Sequence, residues 1–223
     1  MLLAVVGLLG GVGLLGVGQP AGGQTAASGS GGDRYAMPAA YSWVGPDHPG
    51  DAYSIAVVRG ITPTAALRAI GGVRKRLGRL TPQQAAIYVA QNSDPENFEF
   101  PAVVQVQQLG HSVVLYEPFG LRPVFRLAKL SANGIAAAFW TARRGPKEAK
   151  VARQGRIIRS FSVRHRPPRR NALPEERGLD WGSPGQNPFA TGWAFNERLT
   201  LTHISQLWFD SAHPTFVVNG PAY

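Results

Sequence analysis

The sequence predicts an α+β domain built on a mostly antiparallel sheet with helices from both ends of the domain, preceded by an apolar N-terminal segment and a Gly/Ser-rich tether. Three observations carry that prediction. Apolar, strand-like runs crowd the middle of the chain and are joined by short Gly-containing turns. Helix-start signals cluster before and after them. Strands and helices also fail to alternate in the regular way that a parallel α/β sheet requires.

The first 18 residues, MLLAVVGLLGGVGLLGVG, contain no polar side chain. A signal-peptide core usually runs about 7 to 15 residues and a membrane-spanning helix about 20, so residues 1–18 read as a signal peptide or membrane anchor. Residues 19–34, QPAGGQTAASGSGGDR, are too small and polar to form a core and read as a flexible tether. Residues 35–223 then form a single α+β domain. This order predicts a protein secreted or anchored to the outer face of the cell membrane. The chain has no cysteine, which excludes disulfides, thiolate metal sites, thiol nucleophiles and a lipidated cysteine.

Along the domain, the segment after the tether reads as an ordered strap with Tyr41 and Trp43 as docking points. Ser54 to Val58 is a buried strand, Arg59-Gly60 a turn, Thr62 an N-cap and Pro63 the first helical residue. Leu67 and Ile70 share one face of that helix, and Gly71 stops it. Val73 to Phe100 contains RKRLGR, read as an exposed basic turn, followed by a second helix that opens at Thr81 with Gln84 as a capping box and ends near Asn92. AVVQVQQL and SVVLYEPF flank Gly110-His111 as a strand pair. Asn133-Gly134 turns the chain into the strand GIAAAFWTA. Lys147 to Ala152 and Arg156 to Val163 flank Gln154-Gly155 as a hairpin. A loop rich in Pro and Gly follows, then ATGWAFNERL and THISQLWF as helices, the second with Ile204, Leu207 and Trp208 on one face.

SIAVVRGITPTAALRAIGG, the strand pair ending in VVLYEPFG, LAKLSANGIAAAFWTA and the Gly turn in ARQGRIIRSF together resemble an uncharacterised family of small actinobacterial α+β domains. The resemblance covers Tyr53 to about Val163, and its signature is a strand, Arg-Gly, Thr-Pro, a short helix ending in Gly and a later Glu-Pro-x-Gly. The chain departs from that pattern in the insertion Val73 to Phe100, in lacking a Trp just before SVVLYE, and in carrying Leu201 where a Gly would follow Thr200. The resemblance implies architecture and brings no activity with it.

The chemistry-bearing residues are sparse. No two of the five histidines stand at the i, i+4 spacing of ligands on one helix face, and no G-x-S-x-G nucleophile elbow occurs. Asn92, Asp94 and Glu96 alternate like the start of a calcium loop, but the glycine and terminal acid of such a loop are missing. No metal or cofactor is expected. Glu117, closing the apolar strand VVLYE, is the one catalytic candidate. It is expected to face solvent or to pair with Arg59 or Arg126, and it would act as a general acid only if burial raised its pKa beside a second acid.

The stretch from Arg143 to Arg170 holds eleven Lys or Arg and one acid, so its net charge of 11 − 1 = +10 equals the formal excess of the whole chain. Arg153, Arg156 and Arg159 around its hairpin are the candidate anion-binding residues. Only Phe161 interrupts the run, whereas nucleic-acid binders interleave aromatics for stacking. These features favour a non-catalytic binding module with an unidentified protein as partner, in the manner of immunity proteins. An anionic membrane or cell-wall surface is the second kind of partner this charge would suit. A cell-envelope hydrolase with Glu117 as acid and a basic nucleic-acid binder are the alternatives.

Overall fold

The protein is described here from a computed structural model that covers residues 36–45, 52–94, 96, 100–142 and 145–220. The apolar segment, the tether, Arg143 and Arg144 lie outside the described residues. After a single 3-10 turn at Pro38–Tyr41 come β1 (Tyr53–Arg59), α1 (Pro63–Ala69), β2 (Val73–Leu80), α2 (Pro82–Gln91), β3 (Val103–Leu109) and β4 (Ser112–Pro118). The one-turn helices α3 (Arg122–Phe125) and α4 (Leu127–Leu130) lead to β5 (Ile135–Thr141), β6 (Lys147–Arg153) and β7 (Arg156–Ser162). A 3-10 turn at Pro174–Glu176, α5 (Pro188–Thr200), α6 (Gln206–Asp210) and β8 (His213–Val218) complete the fold.

All eight strands form one sheet in the order β2-β8-β3-β4-β1-β5-β6-β7, and every pairing is antiparallel. The α+β class therefore holds, with helices on both faces of the sheet. Because strand side chains alternate, Tyr53, Ile55 and Val57 point to one face with Tyr116 and Phe139, where Trp193 and Phe195 of α5 cover them. Ala56 and Val58 point to the other face with Leu115 and Ala138, under Ile70, Leu127 and Leu130. Gly192 on α5 lets that helix descend onto the sheet, since a Cβ there would collide with the Phe139 ring.

The helix starts follow their sequence signals. Thr62 accepts from the Ala65 N–H, and Thr81 and Gln84 form the reciprocal capping box. The strap docks where Tyr41 and Trp43 predict, since both rings lie against Trp193 and Trp43 also meets Phe209. Arg198 of α5 fixes it by donating to the Ala36 carbonyl while holding the carbonyls of Glu175 and Arg177.

Three expectations need correction. RKRLGR is not a turn but most of β2, an edge strand whose register shifts at Val73/Lys75 and Arg76/Gly78. Such bulges and cationic side chains protect an edge from pairing with another chain. The helix α6 is not the last described element, because β8 follows it and returns to sit between β2 and β3. Finally, Ile204 and Trp208 are buried but Leu207 points outward, 72% exposed, since α6 is too short to carry a full apolar face.

Candidate functional site

The end of the sheet formed by the close of β1 and the tip of the β6–β7 hairpin gathers cationic side chains. In register, Arg59 pairs with Ile135 of β5, Ile135 pairs with Arg153 of β6, and Arg153 pairs with Arg156 of β7. Arg59, Ile135 and Arg153 fall on the α5 side of the sheet by strand parity. The three arginines thus stand in one cross-strand row. Arg59 is half-buried and the other two are exposed. None of the three makes a hydrogen bond or ion pair among the described residues.

This row borders an open cleft of about 680 Å³ lined by Arg59, Gly60, His111, Asn133, Arg153 and Leu199, among others. A second cleft of about 340 Å³ shares Arg59 and His111 and extends past Ser112, Thr202 and His203. Neither lining includes an Asp or Glu. The floor is fixed by a tight backbone approach. Gly60, at φ 84°, lies so near the next turn that a Cβ would stand 2.7 Å from the Asn133 carbonyl oxygen. The C-terminus of α5 forms one wall, where the Leu201 N–H donates to the Glu197 carbonyl and the Thr200 hydroxyl to the Asn196 carbonyl.

Beside the second cleft, the Glu197 carboxylate accepts from Tyr41 and meets His203 Nδ1 at 2.9 Å, so this acid is engaged by the strap. Burial pushes the Tyr41 phenol well above its ordinary range, reinforced by the hydrogen bond and charge of Glu197, so Tyr41 remains a neutral donor there.

The third predicted anion-binding residue behaves differently. Arg159 is buried and makes a two-pronged ion pair with Glu176 at 2.7 and 2.8 Å, and it also donates to the carbonyls of Pro168 and Arg170. Its role is to clamp the basic loop to β7, and it does not join the open row. Phe161, the lone aromatic of the basic run, is buried against Trp181 and Phe195, which removes it as a stacking surface.

Glu117 lies at the opposite end of β1 from the arginine row. Its register partner is Ser54, five residues from Arg59, or about 17 Å along a strand, which rules out the expected pairing with Arg59. It is fully buried and accepts the Arg122 backbone N–H at 2.6 Å in place of any strand guanidinium or Arg126. Its second oxygen and Ser54 Oγ have no hydrogen-bond partner among the described residues. Burial raises its pKa to about 8, against the lowering effects of the Arg122 N–H and charge. The run Glu117-Pro118-Phe119-Gly120 thereby acquires a structural reason: the carboxyl group braces the turn, and a Cβ at Gly120 would collide with it. The Arg122 side chain extends the brace by donating to the carbonyls of Asn219 and Gly220 after β8.

No group of three or more His, Asp or Glu side chains that could hold a metal occurs among the described residues. Sequence reasoning singled out Arg153 and Arg156 but treated Arg59 only as a partner for Glu117. A signal was present, because Arg59 continues the parity of Tyr53, Ile55 and Val57 onto the α5 side. Compared with family models, curated proteins and solved structures, the chain matches none.

Proposed function

We propose that this protein is an exported or membrane-tethered, non-catalytic binding module whose partner is a protein that presents carboxylates to the Arg59, Arg153 and Arg156 row. The observation that carries this reading is the row itself. Basic residues on an edge strand are ordinarily explained as protection against aggregation, and that explanation serves for Arg156 on β7. It does not serve for Arg59, which sits on a strand hydrogen-bonded on both sides. Directly opposed like charges such as Arg153 and Arg156 also disfavour a sheet pair. Cations placed at such a cost beside a cleft with no acid in its lining are suited to an anion supplied from outside. The apolar segment 1–18 and the tether 19–34 support placement of this surface beyond the membrane.

Two measurements test the reading. Cells producing the full chain are fractionated beside cells producing a chain that begins at Asp33. The first product is expected in membrane or medium and the second in the cytoplasm, and equal recovery in the cytoplasm removes the export part of the proposal. The purified full chain is also used to capture proteins, with Arg59→Gln/Arg153→Gln/Arg156→Gln as comparator. A charge-matched control carries Arg74→Gln/Lys75→Gln/Arg76→Gln on β2, at the far edge of the sheet. Loss of a nuclease-resistant captured protein in the first variant and its retention in the second is the expected result. Equal loss in both would reduce the row to general charge.

A further inference from the structure

We infer that the segment of the partner that docks here is an extended acidic peptide carrying two carboxylates three residues apart. This rests on the row being the binding surface, and it deepens that reading by naming the occupant. The spacing comes from the sheet. Arg59 on β1 and Arg153 on β6 are separated by β5, so their backbone positions stand two strand spacings apart, about 10 Å. Arg153 and Arg156 face each other directly, with Cβ atoms about 5 Å apart, and converge on one end of the row. The row is therefore two anchors: one arginine beside His111, and a pair at the hairpin tip. Ile135 lies between them, half-buried and uncharged.

A guanidinium presents a planar fork of donors that matches a carboxylate in two-pronged geometry. An extended polyproline-II-like segment rises about 3.1 Å per residue with three residues per turn, so carboxylates at positions i and i+3 fall on one side about 9 Å apart. That separation fits the two anchors. In a helix the same pair would stand only about 5 to 6 Å apart. Polynucleotides are less well served, because neither cleft lining contains Phe, Tyr or Trp on which a base could stack. A bilayer surface is also a poorer fit, because Arg59 is half-buried within a concavity and a plane of headgroups meets only what protrudes.

The test is fluorescence anisotropy with the full-length chain at 0.15 M salt, about the physiological ionic strength. Labelled peptides carry two Glu at i and i+1, i and i+3, or i and i+6 in an otherwise identical Pro/Ser/Gly background. The i, i+3 peptide is expected to bind about tenfold more tightly than the other two, the difference made by one additional charge-assisted contact. Arg59→Gln and Arg153→Gln should each abolish that preference, whereas Arg74→Gln/Lys75→Gln/Arg76→Gln should leave it intact. Unfolding midpoints confirm that each variant is folded. Equal binding of all three peptides, still weakened by the row variants, would overturn the spacing while leaving the row as the site. Absence of binding to any acidic peptide, or equal weakening by the β2 control, would overturn the site as well. Stronger binding of single-stranded DNA or phosphatidylglycerol vesicles to the row than of any peptide would overturn the peptide in favour of that class.

Discussion

The two ends of β1 treat charge in opposite ways. At the Ser54 end, Glu117 is sealed under a turn whose backbone it holds, while at the Arg59 end three arginines stand without a hydrogen-bond or ion-pair partner among the described residues. The same contrast recurs within one strand. Arg159 is locked to Glu176, and Arg156, three residues earlier on β7, is exposed at the hairpin tip. A charged residue's role is thus set by whether the fold supplies its counter-group. Where it does, the residue belongs to the structure. Where several lack one side by side among the described residues, the charge stays uncompensated within the fold.

The largest effect expected from breaking this contrast lies on the closed side. Arg159→Ala leaves the Glu176 carboxylate buried beside empty space and frees the carbonyls of Pro168 and Arg170. Removing one member of a buried pair costs about 3 to 5 kcal/mol, which chemical denaturation should register as a lower midpoint. Limited proteolysis should then cut within the Arg164–Arg170 loop. Arg156→Ala, made on the same strand, should do neither.

Next comes the pH dependence at Glu117. Below about pH 4.5 the carboxyl is protonated in both folded and unfolded chains, and its contribution is level. As pH rises toward about 8 the unfolded chain ionises while the folded one holds its proton, so stability falls, and above about 8 the penalty is constant. The slope contributed is at most about 1.4 kcal/mol per pH unit. Glu117→Gln keeps an oxygen for the Arg122 N–H and cannot ionise. Its stability relative to the unmodified chain should therefore climb between pH 4.5 and 8 and level off above. A constant difference across that window would show that Glu117 is not held neutral.

Much of this fold was legible because most elements have local causes. Thr62, Thr81 and Gln84 set helix starts through their own side chains, and Gln154-Gly155, with φ of 49° and 77°, turns the hairpin as its sequence requires. β2 was illegible because an edge strand with two bulges exposes basic residues on both sides and loses the two-residue period. β8 was hidden by its brevity and by Pro214, which weakens any strand pattern. The candidate site was half legible. Hairpin spacing placed Arg153 and Arg156 together, but only the pairing of β6 with β5, and of β5 with β1, brings Arg59 alongside. Arg159 was misplaced with the exposed residues because its partner Glu176 lies seventeen residues on, beyond any local signal.

A smaller effect is expected at the wall of the cleft. Leu201 caps α5 in the left-handed conformation, φ 55° and ψ 35°, where glycine carries no steric penalty. The side chain is 73% exposed, so little burial is lost on removing it. Leu201→Gly should raise stability by about 1 kcal/mol, read as a higher midpoint of thermal unfolding. A lower midpoint would mean that the Leu201 side chain contributes packing that its exposure conceals.

The smallest effect is the one that bears most directly on the open row. If Arg153 and Arg156 serve only the fold, replacing Arg156 by Gln should leave stability unchanged or lower it slightly through lost edge protection. If they are held in opposition for an external anion, relief of their repulsion should raise stability by about 0.2 to 1 kcal/mol, the range measured for cross-strand pairs. Salt separates this from a packing gain. The Debye length falls from about 30 Å at 0.01 M to about 3 Å at 1 M, so repulsion between these closely opposed charges weakens across that range, the unmodified chain should gain stability between about 0.01 M and about 1 M salt, and Arg156→Gln should gain less. The two denaturation curves should therefore converge as salt rises. Curves that stay parallel would mean that the opposed arginines impose no electrostatic strain, and the row would lose the feature that distinguishes it from an ordinary charged edge.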